Sequence, residues 1–198
     1  MAHLFSSPLH HKISQEKKCK NIIKYHPLCC FVLLVILFIH PSYASNNNVT
    51  KLVDEVCGKT SNYTFCIESL YSDPNASESD SYGLAYVAFR LAYLNATNTR
   101  DYIRKLLNKA TSSQYRMHLQ RCAFDYEKAI SAIETAYNDL NSETFFELAD
   151  LAGVASHGAE DCQATFRGTH HCPLCFMNNA LEGLCQICVV ISKLFTGS

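Results

Sequence analysis

Three consecutive segments of this 198-residue chain place apolar side chains at alternating spacings of three and four. That rhythm fits one face of an α-helix and no strand. The first seam is Leu119, Cys122, Tyr126, Ala129, Ile133, Ala136 and Leu140. The second is Phe145, Leu148, Ala152, Ala155, Ala159, Cys162 and Phe166. The third is Leu174, Met177, Leu181, Leu184, Cys188, Ile191 and Phe195. An earlier segment contributes Leu84, Val87, Leu91 and Leu94, resuming at Tyr102 and Leu106. Period-two alternation is short-lived, and no Asn-Gly or Asp-Gly hairpin turn occurs. Four seams of this kind predict an all-α fold, an antiparallel four-helix bundle.

Helix boundaries follow from the punctuation. Asp80 caps the first long helix, and Thr111 to Ser113 end it and cap the next. Asn141-Ser142 separates the second from the third, Gly168 closes the third, and Pro173 suits the first turn of the last. Upstream, "VTKLVDEVCGKTSNYTFCIESLYSDP" reads as two short helices broken at Gly58 and ended by Pro74. The predicted organisation is a leader at 1–44, a helical hairpin at 45–79 and the bundle at 80–198, the last two forming one domain.

The leader is read from its apolar run. "LCCFVLLVILFI" (28–39) follows a basic stretch and is too short to span a bilayer, which takes roughly 20 residues. Ser42 and Ala44 are the small residues of a cleavage site before Ser45, so the expectation is an exported chain with no membrane span after cleavage; the long basic stretch leaves an uncleaved signal anchor as the alternative. Five of the 17 Lys+Arg and one of the 18 Asp+Glu leave with the leader, so residues 45–198 carry a net charge of −5. A nucleic-acid partner requires a basic surface and is excluded on that ground. Sequons at Asn48, Asn62, Asn75 and Asn95 are candidate N-glycan sites in an exported chain.

Of the eleven cysteines, Cys19, Cys29 and Cys30 lie in the leader. An oxidising compartment makes disulfides the default for the other eight. In an antiparallel helix pair turning near residue 142, Cys122 and Cys162 are equidistant from the turn and both on the apolar seam. A Cys122–Cys162 bridge follows from that register. Cys57 and Cys66 flank the break at Gly58, where a bridge would staple two helices too short to be stable unaided.

These residues also resemble a known family. "VCGKTSNYTFCIESLYSDP", "RCAFDYEKAISAI" and "AEDCQATF" are similar to the cysteine-bearing segments of plant invertase and pectin methylesterase inhibitors. The resemblance covers the whole chain after the leader. It implies a helical hairpin on a four-helix bundle, two disulfides in sequential order, and stoichiometric inhibition by occluding a target's active site. The implied partner is plant acid invertase or pectin methylesterase, met in the cell wall or the vacuole. In invertase inhibitors a Pro-Lys-Phe segment near the start of the third bundle helix faces the enzyme's sugar site. This chain has "NSETFFELAD" (141–150) there, without Pro or Lys; Phe145 belongs to the seam, so the carry-over falls on Glu143, Thr144 and Phe146, and packing of Phe146 on a neighbouring helix is the alternative. The balance of the reading leans to invertase, with pectin methylesterase as the alternative. A secreted bundle with no inhibitory activity is the reading from a different class.

The remaining chemical motif is the pair of C-x-x-C sequences, Cys172/Cys175 and Cys185/Cys188. Zinc would need all four sulfurs about 2.3 Å from one point. On one helix, Cys175 and Cys185 stand about 15 Å apart along the axis, so the expectation is no metal and no cofactor. "CPLC" also resembles a thiol-oxidoreductase motif, but such enzymes are built around a sheet. Cys188 reads as core, Cys185 as its semi-buried neighbour, and Cys172 and Cys175 as free or locally bridged. An unpaired thiol would be available to join two chains. A Cys172/His171 dyad lacks a placed orienting carboxylate, and the acid pairs Asp54-Glu55 and Glu160-Asp161 point apart on their helices. Nothing in the sequence carries an enzyme.

Overall fold

A computed structural model describes residues 49–169 and 171–197. The predicted leader, its cleavage site, Asn48 and His170 lie outside the described residues. Among those described, the secondary structure is entirely helical. The helices are α1 (Lys51–Cys57), α2 (Tyr63–Tyr71), α3 (Ser81–Lys109), α4 (Ser113–Asn141), α5 (Leu148–Thr165) and α6 (Cys175–Thr196), with a 3-10 turn at Pro74–Glu78. Helices α3 to α6 form the bundle, each packed on its sequence neighbour and α3 closing against α6.

Four helix starts have a side-chain cap, those at Asp80 and within 111–113 where the sequence places them; α5 and α6 start without one. Thr50 accepts from the Val53 N–H at 3.3 Å, Asn62 from Phe65 at 3.0 Å, Asp80 from Gly83 at 2.8 Å and Ser112 from Tyr115 at 3.4 Å. Each bond satisfies one of the donors that a helix N-terminus leaves orphaned. Asp73 of the Ser-Asp-Pro sequence has two roles. Its Oδ1 accepts from the Asn75 N–H at 2.9 Å to start the 3-10 turn, while Oδ2, almost fully buried, pairs with Arg90 of α3. That ion pair fastens the end of the hairpin to the bundle.

The α4 and α5 seams are buried as read, from Leu119 to Leu140 and from Leu148 to Phe166. On α3 the buried stripe differs from the expected one. Leu94 is exposed and Leu91 half-buried, whereas Ala85, Ala88, Phe89, Ala92, Ala96 and Ile103 face the core. Alanines let the neighbouring helices approach closely, so the contact face carries fewer large side chains than its flanks. Helix α6 begins at Cys175 rather than Pro173, after a turn. It runs through Gly183, where an added Cβ would lie 2.5 Å from Cε1 of Phe65. The missing side chain lets the α2 ring lie on α6. Ser61 adds a second tie, its N–H and Oγ both donating to Gln186 Oε1 at 3.1 and 2.7 Å.

Among the described residues three disulfides are present: Cys57–Cys66, Cys122–Cys162 and Cys172–Cys175. The first two are the pairs expected from the break at Gly58 and from hairpin register. The Cys122 and Cys162 Cα atoms are 4.4 Å apart, and one turn away Gly158 would place a Cβ 2.7 Å from the Asp125 carbonyl. The α4–α5 crossing is therefore tight enough to require glycine.

Candidate functional site

The loop between α4 and α5 carries Glu143, Thr144 and Phe146, all exposed. Helix α4 ends in two crossed hydrogen bonds: Thr144 N–H donates to the Asp139 carbonyl at 2.8 Å and Glu143 N–H to that of Leu140 at 3.1 Å. This is a Schellman termination, which needs a left-handed residue at the position Glu143 holds, and Glu143 has φ 55°. Glycine is the usual occupant, so a glutamate there gives no sequence signal.

The loop is braced from two sides. From α3, Tyr82 Oη donates to the Leu140 carbonyl at 2.7 Å and Tyr86 Oη to Asn141 Oδ1 at 2.6 Å. The hydrogen bond with Tyr82, followed by burial, pushes the Tyr86 phenol up to about 12, so it remains a donor. From α6, Phe195 stacks on Phe145 with ring centroids 4.5 Å apart, and Tyr82 meets the same ring edge-on. With Phe145 held, Phe146 projects into solvent and is 84% exposed. Phe146 is the ring outside the seam; the tyrosine brace leaves no sequence signal, because its partners lie 55 and 58 residues away.

The cysteines offer no second chemical centre. Cys172 and Cys175 are joined to each other, which answers the question their spacing left open. Cys185 and Cys188 are free and both buried, so Cys185 is more enclosed than the semi-buried neighbour expected. Burial, foremost, pushes the Cys185 thiol up to about 12 and raises Cys188 well above its usual value. Thiols held protonated in this way are poor nucleophiles and poor metal ligands. No group of three His, Cys, Asp or Glu side chains suited to a metal occurs among the described residues.

The described sequons differ in setting. Asn62 is exposed at the start of α2, and Asn75 is exposed with its Nδ2 donating to Asp73 Oδ1 at 3.0 Å. Asn95 is half-buried within α3, with an enclosed Oδ1 lacking a partner. Asn62 also stands on a groove of 1120 Å³ with α2 as one wall, α5 as the other and α6 as floor. Nothing in the sequence pointed to this groove, because α2 reaches α6 through contacts between distant segments, Phe65 on Gly183 and Ser61 on Gln186.

The geometry matches a known group of proteins. A family profile described as plant invertase/pectin methylesterase inhibitor matches residues 51–191. A pectinesterase inhibitor from Actinidia deliciosa is 34% identical over 174 residues, covering 84% of this chain and 92% of its own length. A cell wall / vacuolar inhibitor of fructosidase 2 from Arabidopsis thaliana is 30% identical, with 69% of this chain and 78% of its own covered. The fold resembles the crystal structure of a mutant form of an Arabidopsis pectin methylesterase inhibitor. That match has a TM-score of 0.66 at 22% identity, over 73% of this chain and 97% of the other. These relatives are inhibitors of enzymes and not enzymes themselves. The chain belongs to the plant invertase/pectin methylesterase inhibitor family.

Proposed function

We propose that the chain is a stoichiometric inhibitor of plant acid invertase, and that the α4–α5 loop is the part presented to the enzyme. The observation that carries this reading is Phe146, an exposed aromatic on a loop fixed by Tyr82, Tyr86 and the Phe145–Phe195 stack. A large ring held in one place forfeits little freedom on binding, and aromatic anchors of this kind dominate protein interfaces. The target's active-site cleft would be occluded, with no covalent step. The reading includes removal of residues 1–44 and residence of residues 45–198 in the cell wall or vacuole.

Pectin methylesterase is the second reading, favoured by the 34% identity to the Actinidia pectinesterase inhibitor. Both targets are tested in one experiment. Purified protein is titrated at mildly acidic pH against a panel of acid invertases and pectin methylesterases. Saturating inhibition of an invertase near one-to-one supports the first reading, and of a pectin methylesterase the second. No inhibition of either at micromolar protein would overturn both.

A further inference from the structure

We propose that Asn62 carries an N-linked glycan whose core lies along the groove between α2 and α5, over the outer face of α6. The sequon Asn62-Tyr63-Thr64 is exposed throughout. The Asn62 side chain is already oriented, because its Oδ1 caps α2 through the Phe65 N–H. That bond uses only the oxygen. Nδ2, the atom that glycosylation modifies, makes no hydrogen bond within the described residues, so sugar and cap can coexist. Asn75 differs, since its Nδ2 is engaged by Asp73, and Asn95 is half-buried in a long helix.

The groove begins where Asn62 stands. Neighbouring Ser61 bonds Gln186 of α6, and Phe176, at the far end of the groove, is 86% exposed. Gln186 and Phe176 are about 15 Å apart along the helix, the reach of a core trisaccharide. Between them the floor is low, at Ala180 and Gly183. Hydroxyl and amide groups of Ser156 and Asn179 line the same space. Glu182 also lines it. The ring of Phe176 would receive the apolar face of a pyranose. Glu68, Glu160 and Glu182 make the lining acidic, which disfavours a polyuronide in this groove and leaves a neutral saccharide as the fitting occupant. The proposal rests on entry of the chain into the secretory route.

The test expresses the full chain in plant leaf cells and compares it with T64A, which abolishes the sequon while keeping the Asn62 cap. Glycopeptide mass spectrometry should find sugar on Asn62 in most wild-type molecules. Hydrogen exchange should then show α2 amides several-fold slower in the glycosylated protein than in T64A. Alanine is the better helix former, so faster exchange in the variant reports loss of the sugar and not loss of helix propensity. An unmodified Asn62 would overturn the proposal. So would a modified Asn62 whose α2 exchange matches that of T64A, because that sugar would be in open solvent.

Discussion

Tyr126 Oη donates a 2.8 Å hydrogen bond to Asn178 Oδ1 in the centre of the bundle, where neither side chain is accessible to solvent. The bond joins α4 to α6, and Asn178 Nδ2 rests 3.6 Å from Cys162 Sγ, so three helices meet at one amide. Removing only the donor leaves a buried acceptor unpaired. Y126F should therefore cost about 1–3 kcal/mol, read as a drop in unfolding free energy by chemical denaturation. Replacing both partners, in Y126F/N178L, should recover most of that loss. A double variant as unstable as the sum of the singles would show that the bond has no part in the cost.

This bond also marks where the sequence stops being informative. The α4 and α5 faces were legible because Cys122, Tyr126, Ile133 and Leu148 recur at helical spacing and anything else would expose them. Helix α3 was misread at Leu91 and Leu94, because its contact face is built from alanines that carry little weight in a pattern of large residues. Asn178 looks like a solvent-facing amide until its partner, 52 residues away, is in place. Phe146 was legible as a ring outside the seam, but its exposure was not, because packing on a neighbouring helix fits the same sequence. Its brace and the hairpin groove depend on contacts between distant segments.

The three disulfides close loops of different length and should rank accordingly. In the chain-entropy view, losing Cys122–Cys162 costs about 4 kcal/mol, Cys57–Cys66 about 2.7 kcal/mol and Cys172–Cys175 about 1.9 kcal/mol. Paired Cys→Ser variants, unfolded in denaturant, check the order. Equal costs would show that native-state contacts outweigh loop closure.

Glu143 holds a left-handed conformation that costs an L-residue roughly 1–2 kcal/mol. Glycine removes this strain but adds about 1 kcal/mol of unfolded-state entropy. E143G should raise stability by up to about 1 kcal/mol, a gain of roughly 2–4 °C in Tm for a chain of this size.

Phe146 separates function from stability. F146A removes a side chain that supports nothing in the fold, so stability should stay within about 0.5 kcal/mol. If the loop is the inhibitory surface, inhibition should weaken by roughly 30-fold or more, as expected for losing an aromatic anchor. Unchanged inhibition by F146A would remove the loop from the interface.

Asp125 sets a pH dependence. Its side chain is 1% exposed, and burial raises its pKa despite the Arg121 guanidinium 3.0 Å from Oδ2. Lys128 on α4 also lowers it, and Asp161 on α5 adds to the rise. With the folded pKa above the unfolded one, the contribution is fully present below the ordinary aspartate value of about 3.9 and is lost as pH rises through the folded pKa. Glu182, raised by burial and by Glu160, acts in the same direction. Unfolding free energy should therefore fall from mildly acidic toward neutral pH. D125N should flatten that slope.

The two unpaired thiols of α6 carry a consequence for how the chain matures. In oxidative refolding, Cys185 and Cys188 should be shielded once α6 is seated, because the finished bundle encloses them. Before that moment they should compete for the same oxidant with Cys172 and Cys175, 10 to 16 residues upstream. A thiol-alkylating reagent added during oxidative refolding would therefore time the docking of the last helix. Molecules that seat α6 late should emerge with scrambled bridges confined to the C-terminal four cysteines.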